Sequence, residues 1–165
     1  MLLLVNFRAI EEGINIKTVK YLSIILLSLT IVTGCMKDSV DEEPPDLTVN
    51  IEQKDFPAVK GTYTWETKGL FSNEAVIADA AAPYQIAEDM NIETVKPGGN
   101  ATLNFSDDSN PKINTYTWKD QRRSKELEVN HNKISLPSKR GKYVVEVMAH
   151  WSNGESSYTF LVEVK

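Results

Sequence analysis

Few side chains in this 165-residue sequence are of a type that does chemistry, and they are scattered. His150 lies in an alternating stretch, on the side opposite Tyr143, Val145 and Val147, which points it to solvent beside Met148. His131 sits in the turn-rich Asn130-His131-Asn132. Metal ligation or a Ser-His-Asp relay needs a histidine to converge with a carboxylate, which spacing does not show. Both read as exposed residues without a catalytic role. Ser106-Asp107-Asp108-Ser109-Asn110-Pro111 is rich in oxygen ligands suited to a hard cation such as calcium. It lacks the spaced acidic loop with a distal Glu, and Asx-turn chemistry accounts for the same residues. No catalytic residue, metal ligand or cofactor is assigned. Two basic clusters remain as candidate anion-binding groups: Lys119, Arg122, Arg123 and Lys125, then Lys139, Arg140 and Lys142. Each Lys or Arg near a charged surface contributes about 1 kcal/mol. Trp65, Trp118 and Trp151 share strand faces with apolar residues and read as core. Trp151 is the candidate exposed aromatic, because it precedes a turn.

The only thiol is Cys35. Lys17 and Lys20 lead into an apolar run over 21–31, which closes on Val32-Thr33-Gly34-Cys35. The run falls short of the ~20 residues a spanning helix needs. A charged start, an apolar middle and small residues before the cut form an export signal. The arrangement resembles a bacterial lipoprotein signal, with Val-Thr-Gly-Cys in the place of the lipobox. That resemblance implies a signal peptide over 1–34, a mature chain starting at Cys35, and fatty acylation (palmitate) of its thiol. The chain is then expected to be lipid-anchored at the outer face of the cell membrane. Acyl chains contribute about 0.8 kcal/mol per buried methylene, and two of them hold a protein stably on a bilayer. With its only cysteine acylated, the domain forms no disulfide.

Positioning falls to the rest of the chain. Residues 35–46 are acidic and contain two prolines, the composition of a flexible tether. Residues 47–165 are long enough for one domain. Residues 36–110 carry 5 basic and 15 acidic side chains, whereas 111–165 carry 10 and 6. The acidic balance argues against nucleic acid as a partner, and the aromatic interleaving that single strands need is missing. Alternation predicts strands over 47–51, 60–66, 101–105, 113–118, 125–129, 134–136, 141–151 and 156–165. Asn153-Gly154 reads as a hairpin turn, since both residues accept φ > 0. Asn73 could cap a short helix over the Ala-rich stretch 73–82, with Pro83 stopping it. Seven or eight short strands with closely spaced turns predict an all-β antiparallel sandwich.

From Pro97 onward the signals resemble the later half of an immunoglobulin-like domain. They are Pro97-Gly98-Gly99 before a strand, Trp118 in the next, and Gly141-Lys142-Tyr143-Val144-Val145-Glu146-Val147 leading into a long hairpin closed by Tyr158, Phe160, Val162 and Val164. The resemblance implies a tyrosine-corner role for Tyr143 and a core role for Trp118. With Gly61, Tyr63, Trp65, Ala82 and Pro83, the layout is also similar to small lipoproteins of Bacillus-type bacteria. Together these features imply a non-enzymatic binding module, anchored in the bilayer through Cys35, for a protein or an anionic cell-wall polymer. The alternative is a regulator or inhibitor of a membrane or extracellular enzyme.

Overall fold

The computed structural model describes residues 43–68 and 73–165. Cys35, the signal segment and most of the predicted tether lie outside the described residues. Twelve strands are seen among those described, in two sheets packed as an all-β sandwich. One sheet has the order β2 (Lys54–Pro57), β1 (Leu47–Ile51), β6 (Asn100–Phe105), β10 (Lys133–Ser135), β9 (Val129–Asn130). The other runs β4 (Asn73–Ala78), β3 (Val59–Lys68), β12 (Gly154–Val164), β11 (Gly141–Trp151), β7 (Lys112–Lys119), β8 (Arg122–Leu127). All these pairs are antiparallel, and β5 (Glu93–Val95) joins β12 in parallel. The runs β1-β6-β10-β9 and β12-β11-β7-β8 follow the strand order of an immunoglobulin-like sandwich. Strands β2, β3, β4 and β5 are additional to that order; twelve strands form where seven or eight were expected because β2, β4 and β5 were not foreseen and the stretch 125–129 divides between β8 and β9.

The inner faces follow the period-2 pattern. Leu47, Val49, Ile51, Leu103, Phe105 and Ile134 of the first sheet meet Val145, Val147, Ala149, Tyr158, Phe160 and Val162 of the second, all buried. Edge-to-face rings close one end: Phe105 lies 5.2 Å from Trp151 and 5.8 Å from Tyr158, and Trp65 lies 5.3 Å from Trp151. Tyr143 Oη donates to the Lys139 carbonyl at 2.8 Å, the contact a tyrosine corner makes.

Four expectations need correction. Residues 73–78 are strand β4, not helix, because the edge of β3 offers a full set of ladder partners that outweighs alanine's helix propensity. The short helix α1 (Pro83–Ile86) instead begins where the predicted one was to stop. Pro83 occupies its first turn, and Gln85 Oε1 reaches back to accept from the Ala82 N–H at 3.1 Å. The single strand predicted over 125–129 is two: β8 belongs to one sheet and β9 to the other, and the chain crosses between them at Glu128. The last hairpin turns at Ser152-Asn153, neither with positive φ. Gly154 is needed for another reason: a Cβ there would collide with the Thr64 carbonyl and the Trp65 indole.

The domain also begins earlier than position 47. Pro44 is buried, and Tyr158 Oη donates to the Pro45 carbonyl at 2.5 Å. Asp46 exchanges two hydrogen bonds with Ser106. Lys60 Nζ donates to the Pro44 carbonyl at 2.6 Å and pairs with Asp46 at 3.1 Å and Glu43 at 3.5 Å. The last four residues of the predicted tether are therefore part of the folded body. Composition marked them as spacer because their partners are 14 to over 100 positions away, as the 113-residue separation of Pro45 and Tyr158 shows.

Candidate functional site: a basic pole and an outer-face cleft

Strand register settles whether the two basic clusters meet. β11 and β7 are neighbours with Val144 opposite Trp118. The same register carried two residues further sets Lys142 against Asp120, on strands about 4.8 Å apart. Asp120-Gln121 is the two-residue turn joining β7 to β8, flanked by Lys119 and Arg122. Both of its residues have positive φ (50° and 63°), the backbone of a type I′ hairpin made without glycine. Lys119, Arg122, Lys139, Arg140 and Lys142 therefore gather at one end of the sandwich. None of the first four forms an ion pair among the described residues. Lys142 lies opposite Glu163 in the β11–β12 ladder. Glu163's carboxyl is held below the ordinary glutamate range, first by its hydrogen bond from Lys165 and then by the charges of Lys165 and Lys142. Lys125 sits lower on β8, opposite Thr117. The other end of the sandwich is acidic. Glu43, Asp46, Asp107 and Asp108 lie there, where Asp46 and Ser106 are joined and the chain enters the fold.

Arg123 leaves the anion-binding set, since its charge is already taken. A register shift opposite Thr117/Trp118 makes Ser124 the extra residue of β8 and brings Arg123 opposite Trp118. From there Arg123 Nε donates to Glu146 Oε2 at 2.7 Å and Nη2 to Oε1 at 2.9 Å. Trp118 Nε1 donates to the same Oε2 at 2.7 Å. Glu146 is 3% exposed, and three donors offset the cost of burying its charge. The guanidinium also lies over the Tyr116 ring at 4.9 Å. The hydrogen bond to Glu146 is the main cause that raises Arg123's pKa above its ordinary value, against some desolvation.

These groups floor a cleft of about 750 Å³ on the outer face of the larger sheet. Its floor crosses β3, β12, β11 and β7, with Thr64, Glu155, Ser157, Met148, Glu146 and Trp118 among the residues presented. The stretch Ala80-Ala81-Ala82-Pro83 forms one wall. It is fixed by α1, which packs against β7, β11 and β12, and by the Ala80 N–H donating to Thr62 Oγ1 at 3.2 Å. The Tyr84 ring sits 6.1 Å from that of Trp118.

Two tryptophan expectations change. Trp118 is on the outer face, half-buried over the cleft, while Ile113, Thr115 and Thr117 supply the core side of β7. Trp151 is half-buried, packed between Phe105 and Trp65, and its Nε1 donates to Ser109 Oγ at 2.8 Å. It offers no free platform. His150 faces outward as expected and meets Glu155 at 2.9 Å, while His131 meets Asn130 at 2.7 Å. In the 106–111 loop, Asp107 accepts from the Ser109 N–H at 3.0 Å, an Asx turn. Sequence reasoning passed over Glu146. The signal for it was a lone acid inside the apolar run Val144-Val145-Glu146-Val147-Met148.

No family model, curated protein or solved structure matches this chain.

Proposed function

We propose that the protein is a non-enzymatic binding module held at the outer face of the cell membrane by lipid on Cys35, with its basic pole turned to an anionic polymer of the cell envelope. The observation that carries this reading is the charge separation of the sandwich. The chain enters at the acidic end, and the unpaired bases Lys119, Arg122, Lys139 and Arg140 gather at the other. The chain's point of entry is thus remote from the basic pole, which leaves the pole clear for a ligand. Replacing those four bases with Gln should abolish retention of the protein on purified cell wall, and raising salt should weaken retention of the unaltered chain. Unchanged retention would remove the basic pole from the account. Labelling with a fatty acid tests the anchor, since Cys35→Ala should take up none.

A second reading, a regulator that docks on another protein, draws support from β4. This is an edge strand whose outer neighbour is absent among the described residues, and its Ile77 is 71% exposed. Crosslinking on membranes should recover one dominant protein partner if that edge is used.

A further inference from the structure

The outer-face cleft is a different kind of site from the basic pole. Its four charged lining residues, Arg122, Arg123, Glu146 and Glu155, sum to zero formal charge, so it has no net attraction for an anion. Its volume of about 750 Å³ falls within the ~300–1,000 Å³ of small-ligand sites. The lining sets one aromatic face, Trp118 on β7, against fixed polar groups. Across the floor, three strand spacings or about 14 Å away, β3 presents the hydroxyls of Thr62 and Thr64, and between lie Ser157 and the carboxylate of Glu155 on β12.

The Arg123–Glu146 pair adds direction to this mixture. Glu146 takes up two of the five N–H donors of Arg123, leaving three on a guanidinium that is locked in place and still 49% exposed. A guanidinium already neutralised by its carboxylate works as a rigid donor rack rather than as a cation. It suits hydroxyl and amide oxygens, which carry no charge.

The floor also discriminates between classes of chain. An extended peptide binds a sheet by pairing its backbone with a free strand edge. Here β3, β12, β11 and β7 are each hydrogen-bonded to a strand on both sides, so the floor has no free edge to offer. A neutral sugar chain needs none. Its C–H faces lie on aromatic rings, and its hydroxyl rims exchange hydrogen bonds with side chains. We infer that the cleft bounded by Thr64, Trp118 and the Arg123–Glu146 pair is a binding site for an uncharged oligosaccharide that lies across the strands.

The test is calorimetric titration of the full chain, in a detergent without sugar head groups, with neutral tetrasaccharides of glucose and of N-acetylglucosamine. One series should bind saturably. Thr64→Phe gives up one hydroxyl but leaves the Arg123–Glu146–Trp118 hydrogen bonds in place and fills the floor, so it should weaken binding at least about tenfold. Trp118→Ala should do the same by removing the ring. The variant with Lys119, Lys139 and Arg140 changed to Gln, none of which lines the cleft, should bind the sugar as before, which separates this site from the basic pole. Absence of saturable binding by both series overturns the inference. So does undiminished binding by Thr64→Phe, or tighter binding of an uncharged tetrapeptide than of either sugar.

Discussion

The two faces of strand β11 show two ways of being buried. On one side Val145, Val147 and Ala149 are at zero exposure in a hydrocarbon core. On the other, Glu146 alone is buried, while Val144, Met148 and His150 are half-buried on the face against which α1 packs. Burial there is closed by hydrogen bonds as well as contact, with Glu146 shared between Arg123 and Trp118. An apolar core tolerates any contents of the right volume, and its loss is felt by the whole fold. A polar layer specifies particular partners, and its loss is felt locally. The inner face holds the sandwich together, while the outer face holds a shape.

Four measurements can break or sharpen this contrast. The largest effect belongs to the inner face. Phe160→Ala should cost about 3–5 kcal/mol in urea unfolding, through lost transfer energy and the cavity left beside Phe56 and its neighbours. Next is Glu146→Ala, which strands Trp118 Nε1–H and frees Arg123. Removing one member of a wholly buried pair costs 3–5 kcal/mol, but Arg123 can turn to water, so a loss of about 2 kcal/mol is expected in the same assay. A loss equal to that of Phe160→Ala would erase the distinction between the faces. Thr159, next to Phe160 but on the outer face, has the opposite sign. Its buried Oγ1 has no hydrogen-bond partner among the described residues, so Thr159→Val should be neutral or stabilise by up to about 1 kcal/mol. The smallest effect is at the margin of the outer face, where Lys165 holds Glu163's pKa down. The stability this lends is complete above the ordinary carboxylate range and fades as pH falls through the depressed value. Lys165→Ala should move the Glu163 titration upward by NMR, and an unmoved titration would assign the effect to Lys142.

The same contrast explains what could be read from the sequence. The paired strands β11 and β12 were legible because their inner residues, Ser156 apart, are apolar or aromatic and the period is unbroken. β7 was harder, since both of its faces are partly covered. Alternation separates Thr115 and Thr117 from Tyr116 and Trp118 but does not say which set points inward. The threonines go in because Thr117 Oγ1 bonds the backbone of Lys125 and Thr115 Oγ1 that of Leu127. Glu146 needed a partner 23 positions away, brought into reach by a bulge that no pattern announces. The type I′ turns at Glu52-Gln53 and Asp120-Gln121 were invisible for a simpler reason. They put positive φ on residues that rarely adopt it, where Asn-Gly is the usual signature.

The clamp on Glu43–Asp46 has a mechanical consequence. A pull applied upstream of Glu43, resisted by a ligand on the basic pole, runs from one end of the sandwich to the other along the strand direction. The hydrogen bonds joining β1 to β2 and β6 lie across that line and share the load in shear, rather than opening one after another like a zip. Before β1 feels the load, the bond from Tyr158 to Pro45 and the bridges of Lys60 must give way. That contact works as a strain relief where the cable enters the plug.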